Sequence, residues 1–149
     1  MKNLEKNGFT LVELLVTIGL FIIITGIAGY SFNQYIPGYR LRSATSMVKA
    51  NLNQARYLSA RNNVQYRIFS GSNTSYHIQR QSGATWINEI NTDFINDYNW
   101  PGITINIDNN NPIFHPNGRI ENPTTITLSG SAGSISISMS TLGRIKVER

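Results

Sequence analysis

Residues 8–36 read GFTLVELLVTIGLFIIITGIAGYSFNQYI. Gly8 stands before the apolar run rather than after it, and Glu13 stands inside the run. From Leu14 to Tyr39 no residue is charged. The seven residues ahead of Gly8 are polar for the most part and include Lys2 and Lys6. An ordinary secretory signal places its small-residue cleavage site after its apolar core, so the core is lost on maturation. A cut at Gly8 leaves the core on the mature chain. As a helix rising about 1.5 Å per residue, Leu14–Tyr30 spans roughly 25 Å, near the lower limit for a bilayer, and continuation through Ile36 lengthens it. Lys2 and Lys6 predict a cytoplasmic N-terminus and export of the chain beyond the apolar run. A carboxylate in such a segment costs several kcal/mol unless it is paired, which marks Glu13 as a functional residue.

The rest of the chain has a different character. It is 149 residues long in all, room for one domain with an appended segment and too little for a large multidomain enzyme. Charged residues are only 14%, yet they are segregated. Arg40, Arg42, Lys49, Arg56, Arg61, Arg67 and Arg80 come with no acid among them, and Glu89, Asp93, Asp97 and Asp108 with no base. There is no cysteine, which excludes disulfides, thiolate metal sites and a cysteine nucleophile while leaving the compartment open.

Pro37-Gly38 predicts a kink or short break in the helix. Beyond it, Leu41, Ala44, Val48, Leu52 and Ala55 recur at steps of three and four, one apolar stripe on a helix over about residues 40–62. The simplest picture is a single helix from near Phe9 to near Asn62. Strands come next, over about residues 64–148: Val64–Ser70, Ser75–Gln81, Thr85–Ile90, Ile103–Ile107, Thr124–Leu128, Gly133–Ser140 and Leu142–Glu148. Asn106–Asn111 and Pro116-Asn117-Gly118 read as loops. A helix followed by runs of strands predicts an α+β fold, a long N-terminal helix packed on antiparallel sheet, in one layer or two.

The run Gly8-Phe9-Thr10-Leu11-Val12-Glu13-Leu14-Leu15-Val16 resembles the class III signal of type IV prepilins and type II secretion pseudopilins. The resemblance implies that a prepilin peptidase cuts between Gly8 and Phe9 and N-methylates Phe9. It implies three regions: a leader over residues 1–8, a transmembrane and polymerisation helix over 9–36, and a periplasmic pilin-like domain over 37–149. The subunit would wait in the bacterial inner membrane as a single-pass protein. It would then join other subunits in a helical fibre, Glu13 pairing with the N-terminal amine of a neighbour. A buried carboxylate is tolerable when an ammonium is brought beside it.

Arg40–Arg61 looks like the helix of the GspH/FimT family, with Ala55-Arg56 as its Ala-Arg pair. Phe114-His115-Pro116-Asn117-Gly118-Arg119 resembles that family's aromatic-x-Pro-x-Gly-Arg turn, and Leu142-Gly143-Arg144-Ile145-Lys146-Val147 its C-terminal strand. The family resemblance implies a minor subunit at or near a fibre tip, here a minor pseudopilin of type II secretion. The alternative is a minor pilin that binds DNA for natural transformation. In the DNA-uptake branch a basic Gly-Arg-x-Arg element is implicated, and this chain has Lys146 where that branch prefers Arg, which keeps the charge but loses the planar fork. Arg119, Arg144, Lys146 and Arg149 are the candidate DNA contacts. Basic residues at strand ends also keep edges from aggregating. The tail has no interleaved aromatic on which a single strand would stack. A third reading, a tip adhesin, rests on the Asn/Ser/Thr-rich loops.

No residue pattern calls for catalysis, a cofactor or a metal. His77 and His115 have no nucleophile or ligand at a useful spacing. Asp93 and Asp97 read as a solvated acidic patch, and Asp108-Asn109-Asn110-Asn111 lacks the glycine and terminal glutamate of a calcium loop. Gly19, Gly26 and Gly29 suit close helix approach, though glycine is also common in membrane helices. Arg42, Lys49, Arg56 and Arg61 are placed to meet acidic patches on neighbouring subunits, an arrangement that sets register more than affinity.

Overall fold

The computed structural model describes residues 9–108 and 111–148, the side chains of residues 27–33 excepted. Gly8, Lys2, Lys6, Asn109, Asn110 and Arg149 lie outside the described residues, as does the packing around Gly29. Helix α1 runs Leu11–Asn62, and the chain divides into two compact units between Ile36 and Pro37.

The first unit is helical from Leu11. Among its described apolar side chains, Phe9 is 78% exposed, and the large apolar residues from Leu11 to Ile24 are exposed throughout. Among the described residues no helix is long and apolar enough to cross a membrane. The span expected over Leu14–Tyr30 includes residues 27–30, whose side chains are outside the described set.

Helix α1 has Pro37 in its interior, as the single helix read from near Phe9 to near Asn62 requires and without the short break that Pro37-Gly38 suggested. Proline forfeits one backbone bond, but its fixed φ is a helical one, so a long helix can absorb it.

In the second unit the helical stripe meets its partners. Leu41, Ala44, Val48, Leu52 and Ala55 are buried and share one core with Tyr66, Ile68, Tyr76, Ile78, Phe94, Phe114, Ile120, Ile126, Leu128 and Ile137. Polar groups tie the helix to this core. Asn51 donates to the Tyr76 hydroxyl at 2.7 Å, and the Ser59 hydroxyl to the Val64 and Phe114 carbonyls at 2.8 Å each. Burial raises the Tyr76 pKa and its bonds to Thr92 and Asn51 lower it; burial wins, and the net shift is upward.

The strands are β1 (Tyr66–Ser72), β2 (Ser75–Ser82), β3 (Thr85–Asp93), β4 (Thr104–Ile107), β5 (Ile113–Phe114), β6 (Ile120–Glu121), β7 (Thr125–Gly130), β8 (Gly133–Met139) and β9 (Ile145–Glu148). They form two antiparallel sheets, ordered β3-β2-β1-β5-β6 and β4-β7-β8-β9. Period-two patterning is plain in β1, β2 and β7, where Tyr66 and Ile68, Tyr76 and Ile78, and Ile126 and Leu128 point into the core.

Three differences from the sequence reading have local causes. β5 and β6 are two residues long, too short to show alternation, and they complete the first sheet. β3 continues to Asp93 past an irregularity in its register. The last strand starts at Ile145, not Leu142, because Gly143 at φ 83° belongs to a turn.

Candidate functional site

Two assemblies of residues stand out. The first is the start of α1. Glu13 Oε2 accepts from the Thr10 backbone N–H and from the Thr10 hydroxyl, both at 3.1 Å, and the Thr10 hydroxyl accepts from the Glu13 N–H at 3.3 Å. This is a capping box: Thr10 caps the helix and Glu13 reaches back from its third position. The negative charge also meets the positive end of the helix dipole. The Thr10-Leu11-Val12-Glu13 spacing is the signal that sequence reading passed over. Glu13 therefore has a structural task in the single chain, and its carboxylate reaches back to Thr10, the residue next to Phe9.

The second assembly joins three segments far apart in sequence. Arg56 on α1 donates from Nη1 to the Gly143 carbonyl at 2.9 Å. A Cβ on Gly143 would collide with the Gly118 carbonyl and sit about 3.0 Å from the Arg56 guanidinium. The Ile120 N–H donates to the Thr141 carbonyl at 3.0 Å, and the Ser140 N–H to the Arg144 carbonyl at 3.0 Å. So the Pro116–Gly118 turn and the Ser140–Arg144 turn lie side by side, with Arg56 against both. Arg119 and Arg144 are the residues that come directly after these two glycines. Lys146 differs: its ammonium lies 3.4 Å from Glu148, which also accepts from the Ser138 hydroxyl. Tyr57, 61% exposed, lines the same cleft as Arg56 and the Pro116–Gly118 turn. It is an aromatic near the basic turns that the linear order hides.

The remaining candidates have local partners. His77 Nδ1 is 2.7 Å from Asn91 Oδ1, and His115 bonds Gln65 at 3.3 Å and Glu121 at 2.9 Å. Asp93 accepts from the Ile95 and Asn96 backbone N–H groups at 2.8 and 3.1 Å, and Asp97 from the Asp93 N–H at 2.8 Å. The acidic pair is thus a turn-forming device. The Asn96 and Ile95 bonds favour the carboxylate and hold the Asp93 pKa below its ordinary 3.8. A depressed carboxylate stabilises the fold above its unfolded pKa, and that stability goes as pH falls through the folded pKa. An amide-shift titration of Ile95 and Asn96 should therefore show its midpoint below 3.8; a midpoint at or above it would contradict these bonds.

The prokaryotic N-terminal methylation motif matches residues 5–29. Over 73% of the chain, the structure superposes on the type IV minor pilin FimU of Pseudomonas aeruginosa, at 18% identity over 88% of that chain and TM-score 0.59. A second crystal form of FimU gives 19%, 93% and 0.57. The minor pseudopilin EpsH of the Vibrio cholerae Type 2 Secretion System matches over the same share, at 6% identity over 96% of its chain and TM-score 0.61. The domain has the minor-pilin fold. No curated protein matches the chain in sequence. On the minor-pilin fold the methylation motif ends inside α1, and the matched residues include both members of the capping box, Thr10 and Glu13.

Proposed function

We propose that the chain is a minor subunit of a type II secretion pseudopilus. In this reading it is cut between Gly8 and Phe9 by a prepilin peptidase, N-methylated on Phe9, held in the inner membrane and assembled through residues 9–36. The observation that carries it is the methylation motif leading directly into a helix of the minor-pilin fold. The chemistry is consistent. Cleavage at Gly8 creates an ammonium at Phe9, and an assembled fibre would bring a neighbour's ammonium to the Glu13 carboxylate, which among the described residues carries helix-cap bonds alone. The exposed apolar residues Phe9–Ile24 are what bilayer and fibre would cover in turn.

Glu13→Gln keeps the acceptor for the Thr10 bonds and removes the charge. We expect it to be cleaved normally yet to be at least about tenfold depleted from sheared fibres, measured by immunoblot against membrane-retained subunit. Wild-type incorporation of the variant would remove Glu13 from assembly.

A second reading, a minor pilin that binds DNA, is favoured by one observation: the fold brings the turns bearing Arg119 and Arg144 together. The Lys146–Glu148 pair weakens it, since an ion-paired lysine is less available to a phosphate. A salt-dependent gel shift abolished by Arg119→Ala with Arg144→Ala would support DNA uptake. Copurification with secretion subunits, and loss of secretion on deletion, would support the pseudopilus.

A further inference from the structure

The outward face of β1-β2-β3 carries an ordered platform that the proposed assembly does not call on. Alternation sends Tyr66, Ile68, Tyr76 and Ile78 into the core, leaving Arg67, Phe69, His77 and Gln79 on the other side. On β3 the register runs Asn91 opposite His77 and Ile90 opposite Ile78, but then Asn88 opposite Gln79 and Trp86 opposite Gln81. Glu89 is the extra, bulged residue. Without it, strict alternation would turn Asn88 and Trp86 toward the core face. The bulge re-aims both onto the outer face, a use of bulges typical of binding sites.

The side chains there are tied together. The Arg67 guanidinium lies over Trp86, 4.3 Å from the ring centroid, and 5.3 Å from that of Phe69. Its Nε donates to Gln79 Oε1 at 2.6 Å, and Gln79 donates to Asn88 Oδ1 at 2.7 Å. Phe69 stacks on His77 with centroids 6.5 Å apart and planes at 20°, and His77 bonds Asn91. Among the described residues Arg67 has no carboxylate partner. Glu89 on β3 is engaged by Arg80, and Asp93 by its own turn. The cation is half-buried between rings and amides with no anion to balance it.

We propose that this face binds an acidic polysaccharide, a glycan bearing uronic acid units. The C–H faces of its rings lie on Trp86 and Phe69, one carboxylate meets the free edge of Arg67, and the amides of Gln79, Asn88 and Asn91 bond its hydroxyls. Few, fixed, planar polar groups among aromatic rings are what sugar recognition requires. An unbalanced arginine selects a charged sugar over a neutral one. A single cation does not suit a nucleic acid strand, which brings a charge with every nucleotide and needs a basic groove along its length.

The test uses the full chain in detergent micelles, with binding read by calorimetry and tryptophan fluorescence. The probes are hexagalacturonate, maltohexaose as the neutral match, and a single-stranded hexanucleotide. The inference expects saturable binding of hexagalacturonate, with Kd on the order of millimolar or tighter, and at least about tenfold preference over maltohexaose. Arg67→Gln should erase that preference, and Trp86→Ala should weaken binding about tenfold. Asn91→Ala, at the exposed edge and outside the Arg67 stack, should weaken it a few-fold and leave the unfolding temperature unchanged. Absence of saturable binding would overturn the inference. So would equal binding of maltohexaose, tighter binding of the hexanucleotide, or full preference in a folded Arg67→Gln protein.

Discussion

Gly143→Ala should lower the stability of the folded domain by about 3 kcal/mol. Two costs combine. At φ 83° a side chain is strained, which costs about 1–2 kcal/mol for an alanine. The new Cβ also meets the Gly118 carbonyl, a backbone atom that cannot swing aside, and it presses on Arg56. Relief of that clash pulls the Gly143 carbonyl from the Arg56 donor and parts the two basic turns. Gly83→Ala is the control. Its φ is 60° and nothing lies within 4 Å of the added Cβ, so only the conformational cost, about 1 kcal/mol, applies. Thermal unfolding of the two variants should differ by several degrees. Equal losses would mean that the close approach of residues 118 and 143 does not matter.

Phe114→Ala should cost about 3–5 kcal/mol, the range for removing a fully buried aromatic. Phe114 lies on the two-residue strand β5, between β1 and β6, and its carbonyl holds the Ser59 hydroxyl from α1. The cavity opens where helix and first sheet are bonded, with little chance of collapse. Denaturant unfolding would measure the loss. A loss under about 1 kcal/mol would show that β5 is peripheral to the core.

These two sites mark the limit of what the sequence makes legible. The stripe Leu41, Ala44, Val48, Leu52 and Ala55 was readable because a 3.6-residue period repeated over four turns has no other explanation, and all five residues are buried. The long helix and the antiparallel sheet region came from the same patterning. β5 and β6 escaped because two residues carry no period, and Phe114 was visible only as part of a turn motif. The single helix from near Phe9 to near Asn62 was readable as well, while Pro37-Gly38 pointed to a kink or short break, because the outcome at a proline is decided by the helix on either side.

Of the candidate sites, the Gly8–Val16 run was legible because several residue types must coincide in a fixed order. The capping role of Glu13 was within reach, since Thr and Glu three apart before an apolar run spell it. The meeting of Arg56, Gly118 and Gly143 was not: their contacts close a span of 87 residues, and spacing holds no trace of it. The platform on the first sheet depends on one bulged residue, Glu89, which no alternation rule places in advance.

The most direct test of the account is the N-terminus of the chain in cells with and without a prepilin peptidase, read by intact-protein mass and N-terminal sequencing. The account predicts a mature chain that begins at Phe9 and carries one added methyl group when the peptidase is present, and an uncut chain when it is absent. A chain cut after the apolar segment, or one left uncut beside an active peptidase, would contradict it.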